Sequence, residues 1–317
     1  MKVLVTGGAG FLGSRVIAAL LEGKGPMPRV DRVVSADLAA CPVADPRVES
    51  RVGSIADPAF VAAALDADVD VVYHLAAVLS GQSEAEFDIG MQINVDATRA
   101  LLEACRKLPK PPRLIFTSSL AVFGGPMPDV VPEELVLMPQ SSYGAEKAIG
   151  ELLVGEYTRK GFVDGIVCRL PTISVRPGKP NSAASSFVSG IIREPLAGLP
   201  SECPVPVETR LWISSPDMAV RNLVRAGALD GAKLGIRRVL NLPGITVTAA
   251  DMLDSLERLG GKPARALVSL AEVPRIMAIV CSWPGAFDVS RPHAVGFEAD
   301  ESFDAIMKQY MEGLAHA

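Results

Sequence analysis

Short apolar runs rich in β-branched residues recur along the first half of the chain: Val3 to Thr6, Val30 to Ala36, Val48 to Gly53, Val69 to Leu75, Arg113 to Thr117 and Gly165 to Leu170. Between them Phe11 to Glu22, Phe60 to Leu65, Ala85 to Lys107 and Ala145 to Arg159 carry apolar residues at helical spacing. This alternation is the rhythm of βαβ units. The strand runs are apolar throughout, as in strands covered by helices on both faces of a parallel sheet. The pattern predicts an α/β fold with a Rossmann-type, doubly wound parallel sheet. The two longest helical stretches, near residues 85–107 and 145–159, are of the kind that builds a homodimer interface.

After Leu170 the texture changes to a Pro-, Ser- and Gly-rich stretch, Pro171 to Pro206, with one short helical pattern around Phe187 to Arg193. Such a stretch reads as a lid or second domain. Asp217 to Leu229 and Arg238 to Leu242 read as a helix and a strand returning to the sheet, and the tail from Thr246 is mostly helical. The sheet domain is expected over residues 1–171 and 216–242, and a smaller, discontinuous, mainly C-terminal substrate domain over 172–215 and 243–317.

Composition narrows the partners. A net charge of -5 without a basic block argues against nucleic acid, since neutralising phosphates takes clustered Lys and Arg. No apolar stretch approaches the roughly 20 residues of a membrane span. The chain enters a strand and a glycine turn at once, which leaves no room for a secretory signal, so a cytoplasmic protein is expected. The five cysteines are scattered without a C-x-x-C pair, and the three histidines lie far from any metal-ligand spacing. No metal is expected, and small molecules become the default partner.

Thr6-Gly7-Gly8-Ala9-Gly10-Phe11-Leu12-Gly13 follows the first strand and opens the first helix. Glycines there let the backbone approach a pyrophosphate whose charge meets the N–H groups of the helix N-terminus. The second strand ends in Asp37, 24 positions beyond Gly13, where a carboxylate can accept hydrogen bonds from ribose hydroxyls and repel the extra phosphate of NADP. The cofactor expected is NAD. Arg15 and Arg32 are placed to meet a 2′-phosphate but read more simply as solvated surface residues.

Tyr143 and Lys147 lie four apart at the start of a helical pattern, which puts phenol and ammonium on one face. A free tyrosine, pKa about 10, is a poor base at neutral pH; a neighbouring cation and an oxidised nicotinamide favour its phenolate. Upstream, the fifth strand runs into Thr117, Ser118 and Ser119, so hydroxyls fall at the C-terminal sheet edge where cofactor and substrate meet. The glycine loop, Asp37, the hydroxyl-bearing strand end and the Tyr/Lys pair stand in the order one sheet requires. On these residues the chain resembles the extended short-chain dehydrogenase/reductase family over nearly its whole length.

The resemblance implies that Ser119 hydrogen-bonds the reacting oxygen with Ser118 beside it, that Tyr143 is the acid/base and that Lys147 anchors a ribose. It also implies that Ile55, the segment Leu75-Ala76-Ala77, Pro171 and Thr172 contact the cofactor. Asn94 matches the family's helix asparagine and counts among the expected cofactor contacts, in either a structural or a proton-relay role. His74 reads as a packed strand residue. Two departures stand out: Ser54 replaces the acidic residue usual after the third strand, and Ser214 replaces the His of a stretch that opens with Arg210, itself an expected substrate contact. Arg176, Asn181 and Ser185, just after the nicotinamide segment, suit a small anion bearing hydroxyls, with a solvated loop as the plainer reading. Around them the chain is similar to the branch of the family that oxidises the C2 hydroxyl of the sugar acid D-erythronate. A nucleotide-sugar epimerase or dehydratase and a non-catalytic NAD(H)-sensing protein are the alternatives.

Overall fold

The computed structural model describes residues 1–23, 25–180 and 183–315. The first half of the chain alternates strand and helix: β1 (Lys2–Thr6), α1 (Phe11–Glu22), β2 (Arg32–Asp37), β3 (Val48–Val52), α2 (Pro58–Ala64), β4 (Val71–His74), α3 (Ser80–Ala85), α4 (Phe87–Gly90), α5 (Ala97–Arg106), β5 (Arg113–Ser119), α6 (Ser142–Arg159) and β6 (Asp164–Leu170). Then come β7 (Thr172–Ile173), α7 (Ser186–Leu196), β8 (Ser201–Cys203), β9 (Arg210–Ser214), α8 (Pro216–Ala228), β10 (Val239–Asn241), β11 (Ile245–Thr248), α9 (Ala249–Ala266), β12 (Val268–Leu270), α10 (Pro274–Val280), α11 (Ser290–Ala294) and α12 (Phe303–Ala315).

Seven strands form the central sheet in the order β10-β6-β5-β4-β1-β2-β3, all parallel. The order reverses direction at β1, so the ends of β1 and β4 splay into the crevice where such sheets bind ligands. Apolar residues cover both faces, as the unbroken runs predict. Val3, Val5, Ile17, Val33, Tyr73, Leu223 and Leu240 form one core, and Leu4, Val72, Leu101, Leu114, Phe116 and Val167 the other.

Apart from α8 and β10, most of the second half of the chain packs around a separate core of Val175, Val188, Ile191, Cys203, Leu211, Ile213, Met252, Leu256, Ile306 and Met307. Two small sheets, β11-β9-β7 and β12-β8, belong to it. These strands are two to five residues long, too short to show a period, and only β7 and β8 fall in the Pro-, Ser- and Gly-rich stretch Pro171 to Pro206. Phe297 crosses back into the first core. The long helix read over Ala85–Lys107 is a rod from Phe87 to Arg106 with a π-helical stretch at Met91–Asp96, separated from α3 by Glu86. No helix of the described residues is long and apolar enough to cross a membrane.

One buried ion pair joins three elements of the sheet layer. Arg169 of β6 donates from Nε and Nη2 to the two carboxylate oxygens of Glu151 on α6, at 2.8 and 2.7 Å, and both residues are buried. Ser118 of β5 adds a hydrogen bond from Oγ to Glu151, 2.5 Å. Removing one partner of such a pair strands the other charge. Glu151→Gln is therefore expected to lower unfolding stability by about 3–5 kcal/mol in urea titrations, and an apolar replacement of both partners to cost far less. A loss under about 1 kcal/mol in the single variant would show that the pair does not hold these elements together.

Candidate functional site

The glycine turn between β1 and α1 is shaped by contacts that exclude side chains. Gly7 has φ +72°, and its N–H bonds Ala36 O at 2.9 Å. A Cβ at Gly13 would stand 2.0 Å from Gly7 O, so only glycine lets the helix begin this close to the turn. The first N–H groups of α1 have no intrahelical partner, and no side chain caps them. Asp37 closes the turn from the end of β2: its Oδ2 accepts from Ala9 N at 3.0 Å and its Oδ1 from Leu38 N at 2.6 Å.

The opposite wall is built by β5 and α6. Ser119 ends β5, and its Oγ accepts from Ala121 N at 3.1 Å, capping the turn Leu120–Val122. Ser141 caps α6 by accepting from Gly144 N at 3.2 Å. A Cβ on Gly144 would fall 2.1 Å from Ala121 O, so glycine after Tyr143 lets the helix press against the turn that follows Ser119. Tyr143 and Ser119 both line the cleft there, the serine hydroxyl close enough to act on the phenol. Lys147, one turn on, is buried, with Nζ 5.6 Å from the Tyr143 ring centroid and 5.0 Å from that of Phe116.

The titration of this group departs from the simple expectation of a lysine that lowers a phenol. Burial first, and then the carboxylate of Glu146, raise the Tyr143 phenol above its usual value, while the Ser119 hydroxyl pulls the other way. Burial lowers Lys147 to about 8, with Glu146 and Glu151 opposing it. Glu146 is itself buried, accepting from Asn94 Nδ2 at 2.5 Å and Ser83 Oγ at 3.0 Å. His74 is held by Thr6 Oγ1 and Thr98 Oγ1, at 2.7 and 2.9 Å, and burial drives it down to about 3, so it is a neutral packed residue.

These walls enclose a cleft of about 780 Å³. Gly7, Gly10, Phe11, Leu12, Gly13 and Asp37 line it at one side. Ile55, Leu75, Ala76, Ala77, Ser118, Ser119, Tyr143, Lys147, Pro171, Thr172, Arg176 and Ser185 complete the set that sequence and resemblance picked out. Ser54 lines it too, its Oγ accepting from Ala56 N at 3.2 Å. Ser118 joins the lining although its hydroxyl faces Glu151. Arg176 is partly buried, and burial, then the nearby Arg193 charge, lower its pKa.

Two selected residues stand elsewhere. Asn94, read as a cofactor contact, is buried behind the cleft: its Oδ1 accepts from Val78 N at 2.9 Å and its Nδ2 donates to Val78 O at 3.1 Å. Both ends of the amide are used in holding the loop after β4. Arg210, read as a substrate contact, is exposed at the start of β9 and is not among the cleft's lining residues. Asn181 lies outside the described residues. Conversely, Ser80, Gln82 and Trp283 line the cleft and went unselected. The first two follow β4 at the switch point, a position that marks polar residues as candidates. Nothing local to Trp283 marks it.

Comparison with known proteins agrees with this geometry. The model of the NAD dependent epimerase/dehydratase family matches residues 3–225. The chain belongs to that family. It is similar to a D-erythronate dehydrogenase of Cupriavidus necator, 52% identical over 323 residues, covering 99% of this chain and 100% of the relative. A D-erythronate dehydrogenase of Haemophilus influenzae is 42% identical over 314 residues, covering 98% and 99%. Among solved structures, the nucleoside-diphosphate-sugar epimerase of Agrobacterium tumefaciens superposes with a TM-score of 0.92 at 38% identity, covering 98% of this chain and 94% of that one.

This epimerase/dehydratase-family enzyme is an NAD-dependent oxidoreductase, and its cleft fits the cofactor. The side-chain-free approach at Gly13 and the open N-terminus of α1 suit a pyrophosphate, Asp37 suits ribose hydroxyls, and Ile55 offers an apolar contact beside them.

The depressed Lys147 has a consequence for stability. Below pH 8 both folded and unfolded chains hold this proton, and the buried cation weighs on the fold. Between about 8 and the ordinary 10.5 the unfolded chain still binds it and the folded chain does not, so stability rises with pH. Measured against Lys147→Met, the wild type is expected to gain on the order of 3 kcal/mol across that window, at about 1.4 kcal/mol per pH unit over the fall from 10.5 to about 8. A difference independent of pH would mean that Lys147 keeps its ordinary affinity for a proton.

Proposed function

We propose that the enzyme oxidises the C2 hydroxyl of a short sugar acid, D-erythronate, to 2-dehydro-D-erythronate. The observation that carries this reading is Arg176: a partly buried cation in the same cleft as Ser119, Tyr143 and the hydroxyl-bearing Ser185. A guanidinium pairs with a carboxylate through two parallel hydrogen bonds. A carboxylate adjoining C2 thus gives the protein a handle one bond from the reacting carbon. The names of the two relatives at 52% and 42% identity support the same substrate.

In this reading Ser119 and Tyr143 hydrogen-bond the C2 hydroxyl, and the Tyr143 oxygen takes its proton. Bound NAD supplies the acceptor for the hydride that leaves C2. Lys147 holds a positive charge beside the phenol and reaches a ribose hydroxyl. Arg176 fixes the carboxylate, and the hydroxyl of Ser185 suits a substrate alcohol, a role also expected of Asn181. The separate core beside the two that cover the sheet supports a sheet domain of residues 1–171 and 216–242 and a substrate domain of residues 172–215 and 243–317.

A second reading, interconversion of a nucleotide sugar without net turnover of NAD, draws on the solved structure named as a nucleoside-diphosphate-sugar epimerase. Release of NADH separates the two. With D-erythronate and NAD, absorbance at the NADH band is expected to grow steadily. Tyr143→Phe should keep NADH binding and lose about 10²- to 10⁴-fold in turnover. Arg176→Ala should raise KM for the acid and leave that for NAD unchanged, whereas Arg210→Ala behaves as wild type. Normal oxidation by Arg176→Ala, or no oxidation of any sugar acid beside conversion of nucleotide sugars, would overturn the proposal.

Pairing of two copies through the long helices is supported by exposed apolar side chains on them. Leu152 of α6 is 73% exposed and Ile149 is 37% exposed; Phe87 of α4 is 58% exposed. Light scattering is expected to give the mass of a dimer for the wild type and of a monomer for Leu152→Glu. A wild-type monomer would end this reading.

A further inference from the structure

We infer that Trp283 is the specificity wall of the cleft, the side chain that limits how long a sugar acid the site accepts; this rests on the sugar-acid reading above. Trp283 follows α10 and lines the cleft that holds Ser119, Tyr143 and Arg176. Its ring packs against the apolar cluster of Leu120, Val122, Phe123, Trp212 and Phe287. Leu120 is the residue after Ser119 and itself lines the cleft. The indole therefore stands on the side where the reacting hydroxyl is held.

The strap that carries it is tied down. Thr246 Oγ1 donates to Gly285 O at 2.7 Å, Val131 N donates to Ala286 O at 3.0 Å, and Trp283 N donates to Val280 O at 3.1 Å. A Cβ on Gly285 would lie 2.5 Å from that of Arg210, so the strap lies directly on β9. A ring with two torsions, packed on a fixed strap, makes a stiffer wall than an aliphatic chain.

Another part of the lining is fixed as well. Ala184 N donates to Ser80 Oγ at 3.1 Å, and Ser80 is buried. That bond spans from the loop after β4 to the stretch bearing Ala183 and Ser185, both cleft residues. In the proposed pose a four-carbon acid has its carboxylate at Arg176 and its C2 hydroxyl at Ser119 and Tyr143, and the inference places further carbons on the side of the indole, which packs beside Leu120. A pocket wall discriminates by about 10- to 200-fold per added or missing methylene, so the wall is worth measuring by chain length.

The experiment compares kcat/KM for D-erythronate with that for five- and six-carbon aldonic acids of the same configuration at C2 and C3. It uses wild type, Trp283→Ala and Trp283→Phe, with KM for NAD recorded for each. In Trp283→Ala the six-carbon acid should gain at least about tenfold relative to D-erythronate, chiefly through KM, with KM for NAD unchanged. Trp283→Phe, which keeps most of the packing, should fall between and serves if the alanine variant does not fold. An unchanged ratio in a folded variant, or a wild type that already accepts six carbons as well as four, would overturn the wall while leaving the sugar-acid reading intact. A wild type that oxidises no aldonic acid would overturn both.

Discussion

The Glu151–Arg169 pair fixes the distance between β5, β6 and α6, the three elements that carry the reacting end of the cleft. Two buried charges cost several kcal/mol each to remove from water, and only close geometry with further hydrogen bonds offsets that. The further bonds are present. Ser118 donates to the carboxylate, and Arg169 Nη1 reaches Glu133 O and Asn241 Oδ1, at 3.2 and 3.3 Å. Arg169 also lies over the Phe123 ring, 4.7 Å from its centroid. Because the bidentate pair tolerates little sliding, Ser118 and the helix carrying Glu151 are held in one register. Ser119 and Tyr143 inherit it, one residue from the former and two turns from the latter.

Placed so, the phenol and the ammonium are both pushed toward their neutral forms by burial, in opposite directions on the pH scale. Glu146 acts in one sense on both, favouring the proton on Tyr143 and on Lys147. The chain alone thus keeps Tyr143 as a proton holder. In the proposed reaction the balance is tipped by what enters the cleft, since a positive charge arriving beside the phenol acts in a dry site where it is strong. The Asn94 amide belongs to the same layer: it holds the loop at Val78 on one side and the Glu146 carboxylate on the other. Its position in a π-helical stretch follows a frequent association of such bulges with functional sites.

The sheet and the cofactor side were legible because their signals are local. Gly7 to Gly13 and Asp37 sit at the ends of adjacent strands, and the register Thr6 with Ala36 brings them together without reference to the rest of the chain. Tyr143 and Lys147 are four apart on one helix, and their meeting with Ser119 follows from the order of strands. The remainder depends on long-range packing. Asn94 matched a motif by position, yet which way its amide turns is decided by Glu146, 52 residues away. Arg210 opened a familiar stretch, but it falls at the exposed start of β9. Trp283 enters the cleft from a strap whose course is set by Thr246, Gly285 and Val131, none of which a periodicity analysis connects.

That strap is not independent of the buried pair. Glu133, whose backbone carbonyl accepts from Arg169, has its own carboxylate bound at 2.6 Å by Arg291 of α11, which also donates to Val239 O at 2.9 Å. Its other oxygen accepts from Asn241 N at 3.2 Å. A continuous set of charged and polar contacts therefore runs from Ser118 through Glu151, Arg169 and Glu133 to Arg291, the residue after the segment in which Phe287 and Trp283 lie. The position of the reacting hydroxyl and the position of the wall facing it are referred to one set of contacts, though they come from distant parts of the chain. Changes in the ring at position 283 can alter the room for substrate without moving Ser119, because the contacts that set the distance lie behind both. Substrate length and reaction chemistry are then separable by mutation, as a rigid sheet carrying a variable C-terminal wall requires.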